Sequence, residues 1–398
     1  MKKVLFIAPA SYPVHGAEAI VNMKLLNALF NSGQFDIDLI SREETKFNYP
    51  SPPIESYGLK CYHKIIKVNN KRTDLKVIWQ NIVTWYKFGI WFPGCHWAYP
   101  GACEAEKLIK KNKYDYVVSK NPPSFLVAYY LKKKYGIKWV ASWNDPYPYI
   151  KYPVPYGKGL GYKNKIVNKI TEIMSSADIF IFPNARLRDY MQRYVNFRKE
   201  QALVIPHIAL EKPLLNHQST KTLRLIHTGN LSRPRNIKVF LEGLKKAITI
   251  NPDMRISLSI LGLMSDDDKR YVEELELDSY FNYLEPVEYQ KSLEIASTFD
   301  VAVIIEADCE EGIFLPTKVG DYMQIHLPIF AVSPKNGELN DLRNEHYVSY
   351  FADVKSSEAV CDQLLLIYSD FLSGCLKRTT KVKPEYLPES IVEQYINI

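Results

Sequence analysis

Short apolar runs bounded by turn residues recur along the chain, and between them apolar positions fall three and four residues apart. Runs at residues 4–8, 35–40, 114–119, 138–142, 177–182 and 203–206 have the length and β-branched character of buried parallel strands. After the first, Ile20, Met23, Leu26, Leu29 and Phe30 keep helical spacing. A second series begins at residues 223–227 and continues at 256–262, 301–305, 329–332 and 347–351, with a helix starting at Ile237. Strands alternating with helices over such a length predict an α/β chain of two doubly wound, Rossmann-like domains. Residues 207–221 lack periodicity and contain Pro213, Asn216, His217 and Ser219, which reads as a linker. The expected organisation is a first domain at 1–206, the linker at 207–221, a second domain at 222–383, and a C-terminal amphipathic helix within 384–398.

Residues 75–92 place Leu75, Ile78, Trp79, Ile82, Trp85 and Tyr86 on one helical stripe, with Lys76 and Lys87 beside it. The stripe predicts a core-facing helix. Its basic surroundings also suit an interfacial helix with aromatic rings at headgroup depth.

At 398 residues the chain exceeds the size at which one core stops growing, in keeping with two domains. Apolar content of 46% and charged content of 24% are those of an ordinary globular protein. The cysteines at 61, 95, 103, 309, 361 and 375 form no C-x-x-C pair and do not neighbour histidines at short spacing. This argues against a zinc site or a disulfide framework and for a reducing cytoplasm. Residues 4–10 are too short an apolar run for a signal peptide, and no apolar stretch approaches the ~20 residues that span a bilayer.

The net charge of +7 hides a split. Residues 1–200 carry 31 Lys and Arg against 15 Asp and Glu, whereas residues 201–398 carry 20 against 29. Such asymmetry points to different partners for the two halves. No nucleic-acid motif accompanies the basic half, so an anionic membrane surface or a phosphorylated acceptor ranks above nucleic acid.

Candidate chemistry lies where strands end. Residues 314–328 follow the run Val301–Ile305 and a polar loop, with Pro316 and Thr317 at the expected start of a helix. Unpaired N–H groups and the helix dipole make such an end a phosphate site. Lys318 and Asp321 would then share one face, as a cation for a diphosphate and a carboxylate for a ribose hydroxyl; the alternative is a capped helix with a solvated ion pair. The loop after residues 223–227 supplies Gly229, Asn230, Arg233 and Arg235, with glycine allowing close backbone approach and arginine suited to bidentate phosphate binding. Gly16 occupies a similar loop after the first strand, where a plain turn is the alternative. Asp145 follows residues 138–142, as a ligand or as an Asx-turn before Pro146. Asp266, Asp267 and Asp268 read as acids at a helix start rather than a metal site.

These residues resemble the retaining family-four glycosyltransferases of GT-B fold. Pro316-Thr317-Lys318-Val319-Gly320-Asp321-Tyr322-Met323 is similar to that family's Pro-Thr-Lys, two residues, Glu-Tyr segment, with Asp321 in place of a glutamate. The family's other glutamate falls at Ile313, leaving Glu311 or Glu310 nearby. Gly229-Asn230-Leu231 resembles a Gly-Arg-Leu loop, with Arg235 at a lysine position; Ala17 replaces the second glycine of the first loop. Asn121–Ser124 and Trp143–Pro146 resemble the family's Pro-Pro and Arg-Asp-Pro-Trp segments, with Asn144 and Tyr147 substituted.

The resemblance implies two domains facing a central cleft, a nucleoside diphosphate sugar held by the second, and an acceptor bound by the first. It also implies retention of configuration and no metal or other cofactor, with Lys318 and Arg235 neutralising the leaving diphosphate. Gly16, Gly229, Asn230, Arg233, Glu311, Thr317 and Asp321 would bind donor, and Asp145 would face the transferred sugar or the acceptor. The expected role is sugar transfer to a polysaccharide or lipid-linked glycan in bacterial surface polysaccharide synthesis. The expected place is the cytoplasm, peripherally at the inner face of the cell membrane. Two alternatives share the architecture: a sugar-nucleotide epimerase and a catalytically silent membrane-associated scaffold.

Overall fold

The computed structural model describes residues 1–12, 16–43, 64–67, 75–157, 163–209, 220–231, 234–376 and 382–398. They divide into two compact units. The first comprises the described residues of 1–151, 159–208 and 388–398.

In chain order the first unit runs β1 (Lys2–Ile7), α1 (Gly16–Asn31), β2 (Phe35–Glu43), β3 (Lys64–Lys67), α2 (Leu75–Phe88), α3 (Ala98–Lys111), β4 (Tyr116–Lys120), α4 (Ser124–Tyr135), β5 (Trp139–Ser142), α5 (Asn164–Met174), β6 (Ile179–Phe182), α6 (Ala185–Gln192) and β7 (Ala202–Val204). Its seven strands are parallel in the order β3-β2-β1-β4-β5-β6-β7. Every residue of β4 and β5 is buried, as expected for strands covered by helices on both faces.

The second unit holds the described residues of 152–157 and 209–387. It runs β8 (Leu223–Thr228), α7 (Lys238–Ile250), β9 (Ile256–Leu261), α8 (Asp266–Glu274), β10 (Phe281–Leu284), α9 (Tyr289–Ala296), β11 (Val301–Ile305), α10 (Lys318–Gln324), β12 (Ile329–Ser333), α11 (Glu338–Asn344), β13 (Tyr350–Asp353) and α12 (Ser357–Leu372). Its six parallel strands are ordered β10-β9-β8-β11-β12-β13, the doubly wound arrangement of dinucleotide-binding sheets. Two cores sit on its two faces. Val301, Val303 and Ile305 of β11 enter one with Phe330 and Val332 of β12, while Ala302 and Ile304 enter the other with Ile329 and Ala331. The two-residue repeat of a strand divides one apolar run between two layers of helices.

A final helix, α13 (Pro388–Ile396), returns to the first unit. Ile391, Val392 and Tyr395 are buried there; the Tyr116 hydroxyl donates to the Tyr395 carbonyl at 3.0 Å, and Lys138 donates to the Ile398 carbonyl. Just before it, Val382 and Tyr386 pack into the second unit's core, so the tail from residue 384 is shared between units. Residues 152–157 also depart from the expected first domain, since they belong with the second unit. Of the expected linker, residues 210–219 lie outside the described residues, while Ile208 and Ala209 are buried.

Ser265 caps α8 by accepting from the Asp268 amide at 3.1 Å, so the three aspartates fill the first turn of a helix. The expectation of a core-facing helix at residue 75 is corrected. Leu75, Ile78, Trp79, Ile82, Trp85 and Tyr86 are between 44 and 85% exposed, and α2 buries the opposite stripe of Val77, Thr84 and Phe88. The two sides compete for the same core, and Phe88 wins a place against the Tyr130 ring at 5.9 Å.

Candidate nucleotide-sugar site

In an open parallel sheet, loops at the carboxyl ends diverge where strand order reverses, leaving a crevice. In the second sheet the reversal falls between β8 and β11. His227 and Thr228 end β8, Gly229 and Asn230 follow, and Glu306 follows β11.

The Gly229 loop is set by close backbone packing. Gly229 has φ of 89° and its amide donates to the Leu261 carbonyl at 2.7 Å. A side chain at Gly262 would meet the Gly229 carbonyl group at 2.5 Å, so the crossing requires glycine there. Asn230 Oδ1 accepts from the Leu263 amide at 2.8 Å, which fixes the loop's outer end.

Lys318 reaches this loop from α10. A Cβ on Gly229 would stand 3.2 Å from Lys318 Cε, so the missing side chain leaves the room that the lysine fills. Lys318 Nζ lies 2.9 Å from His227 Nε2, and His227 Nδ1 lies 3.0 Å from the Val303 carbonyl oxygen. Because a carbonyl only accepts, Nδ1 carries the proton and Nε2 receives the lysine N–H. Burial, and then the Lys318 charge, hold His227 well below the usual histidine range and keep it a neutral acceptor. Burial foremost, and next Arg235, bring Lys318 down to about 7, against the opposing pull of Glu306 and Asp321.

Arg235 Nε stands 3.2 Å from Glu306 Oε1, and the Tyr156 hydroxyl donates to Glu306 Oε2 at 3.1 Å. The guanidinium also lies 5.9 Å from the centre of the Tyr156 ring, which packs on Phe314 at 4.7 Å. Asp321 accepts from the Tyr289 hydroxyl at 2.6 Å. Tyr322 is buried and its oxygen accepts from the Thr228 amide at 2.9 Å, tying α10 to the end of β8.

Gly229, Asn230, Arg235, Lys318 and Asp321 thus converge on one strand-end region, with Thr317 directly before Lys318 as the N-cap of α10. That helix has seven residues and starts at Lys318, so the site relies on side chains more than on a long helix dipole. Arg233 lies outside the described residues. Glu311 sits on the loop beside Gly312, and the acid in contact with Arg235 is Glu306. Glu306, His227, Tyr156 and Tyr289 escaped sequence reasoning. The position of Glu306 directly after a buried strand was the available signal for it; Tyr156, 150 residues away, had none.

Gly16 and Asp145 belong to the first unit, at the ends of its strands. Gly16 opens α1, and Asn144 Nδ2 donates to both carboxylate oxygens of Glu18 at 2.8 Å. Asp145 beside it is exposed. Lys120 is buried at the end of β4; burial lowers its pKa, and Glu18 opposes the shift. Among the described residues no three His, Cys, Asp or Glu side chains gather as a metal would require, and the described cysteines, Cys95, Cys103, Cys309, Cys361 and Cys375, are free thiols.

The model of Glycosyltransferase Family 4 matches residues 70–208. That segment is similar to the family's domain. No curated protein matches the chain in sequence. Among solved structures it is similar to a sucrose-phosphate synthase from Thermosynechococcus elongatus, with 15% identity, a TM-score of 0.69, and 100% of this chain and 98% of that one covered. It is equally similar to HepE of Anabaena in complex with UDP and glucose, with 11% identity, a TM-score of 0.69, and 100% and 99% covered. Likeness to a putative UDP-N-acetylglucosamine 2-epimerase from Listeria monocytogenes is weaker, with 10% identity, a TM-score of 0.59, and 100% and 95% covered. At these identities the likeness concerns the fold, which is GT-B: two doubly wound α/β units in one chain.

Proposed function

We propose that the protein moves a sugar from a nucleoside diphosphate donor, held by the second unit, to a glycan or lipid-linked acceptor held by the first. The observation that carries this reading is the half-buried Lys318 beside Gly229, with Arg235 within electrostatic reach, at the reversal point of the second sheet. Cations there offset the charge that grows on a departing diphosphate, the role a metal ion fills in other transferases. His227 aims the lysine, Glu306 and Tyr156 fix the guanidinium, and Asp321 is oriented by Tyr289 toward donor hydroxyls. A fold-level relative bound to UDP and glucose supports a nucleotide-sugar donor.

Retention of configuration and independence from metal and other cofactors follow from the family resemblance, as does bacterial surface polysaccharide as the product class. Asp145 is assigned to the acceptor side, and Glu311 and Thr317 to the rim of the donor site. Work at the cytoplasmic face of the membrane suits the basic N-terminal half.

The test is incubation with labelled sugar nucleotides, with and without acceptor glycans, in the presence of EDTA. Acceptor-dependent transfer that survives EDTA is the expected result. Metal-dependent activity would overturn the side-chain mechanism, and an acceptor-independent epimer would mark the enzyme as an epimerase.

A further inference from the structure

The outward stripe of α2 is a feature of the first unit that the donor chemistry does not use. Leu75, Ile78, Trp79, Ile82, Trp85 and Tyr86 recur at three- and four-residue spacings, so they form one continuous face along a helix about 21 Å long. The side chains that α2 does bury, Val77, Thr84 and Phe88, lie on the other side. Trp91, just past the helix, is exposed as well. The three remaining tryptophans, Trp97, Trp139 and Trp143, are buried, so every exposed tryptophan of the protein is on or next to this face. Single exposed apolar residues are ordinary on a protein surface; a contiguous aromatic stripe marks a contact surface.

Charge selects the occupant. α2 contains no acidic residue; Lys76 near its start is exposed, while Lys87 packs over the Tyr130 ring at 4.0 Å. In sequence, residues 56–103 carry seven Lys and Arg against one acid, Asp74. An apolar helix face rich in tryptophan within a basic stretch matches the interface of an anionic bilayer, where indole rings rest at headgroup depth and cations meet phosphate. Among the described residues no helix is long and apolar enough to cross a membrane, so contact would be made by a helix lying in the surface plane.

We infer that α2 docks the first unit onto anionic lipid, with Trp79 and Trp85 as the inserted anchors. The inference deepens the reading of a membrane-borne acceptor and rests on that reading for its purpose, but its geometry is independent of the donor site. Docking of this kind combines an apolar term insensitive to salt with an electrostatic term that weakens as the Debye length falls from about 10 Å at 0.1 M salt to about 3 Å at 1 M.

The experiment is co-sedimentation of the full chain with vesicles of phosphatidylcholine alone and of an equimolar mixture with phosphatidylglycerol, followed by tryptophan emission. The expected result is binding to the mixed vesicles at low salt, release at high salt, and a blue shift from the exposed indoles. Trp79→Ser with Trp85→Ser should abolish both signals while nucleoside diphosphate binding, measured by calorimetry on the same sample, is unchanged. Intact diphosphate binding shows that the variant is folded and separates loss of docking from failure of the donor reading. Wild-type protein that stays in the supernatant, or a double variant that sediments as well as wild type, overturns the proposal. So does a wild-type dimer by light scattering that the double variant dissolves, because the face would then belong to a second copy of the chain.

Discussion

The two units place their chemistry at equivalent points of equivalent sheets, yet they equip those points differently. At the β8–β11 reversal the charges are interlocked: Lys318 on His227, Arg235 on Glu306, Glu306 on Tyr156. At the ends of β1, β4 and β5 the described groups include Asn144 donating to Glu18, a buried Lys120 and an exposed Asp145. Interlocking suits a ligand whose charge is fixed, such as a diphosphate, because donors held in advance need no reorganisation. An acceptor whose polar groups differ from one substrate to another makes no such demand. The contrast is in keeping with the proposal that donor and acceptor are held by different units.

The most forceful way to break this contrast is to remove a cation. Lys318→Ala and Arg235→Ala should each cost ~2–4 kcal/mol of transition-state stabilisation, a fall of roughly 30- to 1,000-fold in kcat/KM for donor. Near-normal kinetics in both variants would refute the donor assignment. Gly229→Val comes next, because it forces a branched residue into the left-handed region and against Lys318; a loss of ~1–3 kcal/mol in thermal stability, with weakened diphosphate binding, is expected.

Protonation sharpens the comparison further. Lys318 is lowered to about 7, and an anionic ligand favours its charged form, so diphosphate binding should take up a proton. Affinity should then fall by up to about tenfold per pH unit as pH rises above 7. The ligand-free protein should respond in the opposite direction. A lysine whose folded pKa is depressed binds fewer protons than in the unfolded chain, so its contribution to stability rises from about pH 7 toward the ordinary lysine range. Calorimetry in buffers of different ionisation enthalpy tests the first, and denaturant titrations across pH test the second. The smallest donor effect should come from Asp145→Asn, which is expected to alter acceptor KM and leave diphosphate affinity unchanged. Loss of diphosphate affinity in that variant would undo the division of roles.

Much of the frame was legible from residue pattern because parallel strands buried on both faces must be apolar throughout. Val301–Ile305 is the clearest case, and the Pro-Thr-Lys segment after it lies at the reversal point. What escaped depended on tertiary choice. Helical spacing in α2 identifies an apolar stripe but not the side of the helix that the fold covers, so its exposure could not be read. His227 looks like any residue of a β-strand until the Val303 carbonyl fixes its tautomer. Glu306 stands among several acids in a polar loop, and only the approach of Tyr156 from a distant segment sets it apart.

The return of α13 to the first unit bears on how the protein is made. Tyr395 sits beside Phe6, with ring centres 6.4 Å apart, and receives the hydroxyl of Tyr116, so residues far apart in sequence complete one sheet's cover. Domains generally fold from the N-terminus as the chain leaves the ribosome. Here the earliest strands must wait, with that part of their surface unsealed, until the second unit has been synthesised and residue 395 has emerged. Removing residues 388–398 would therefore expose part of the first unit's core while leaving the sheet around Lys318 complete.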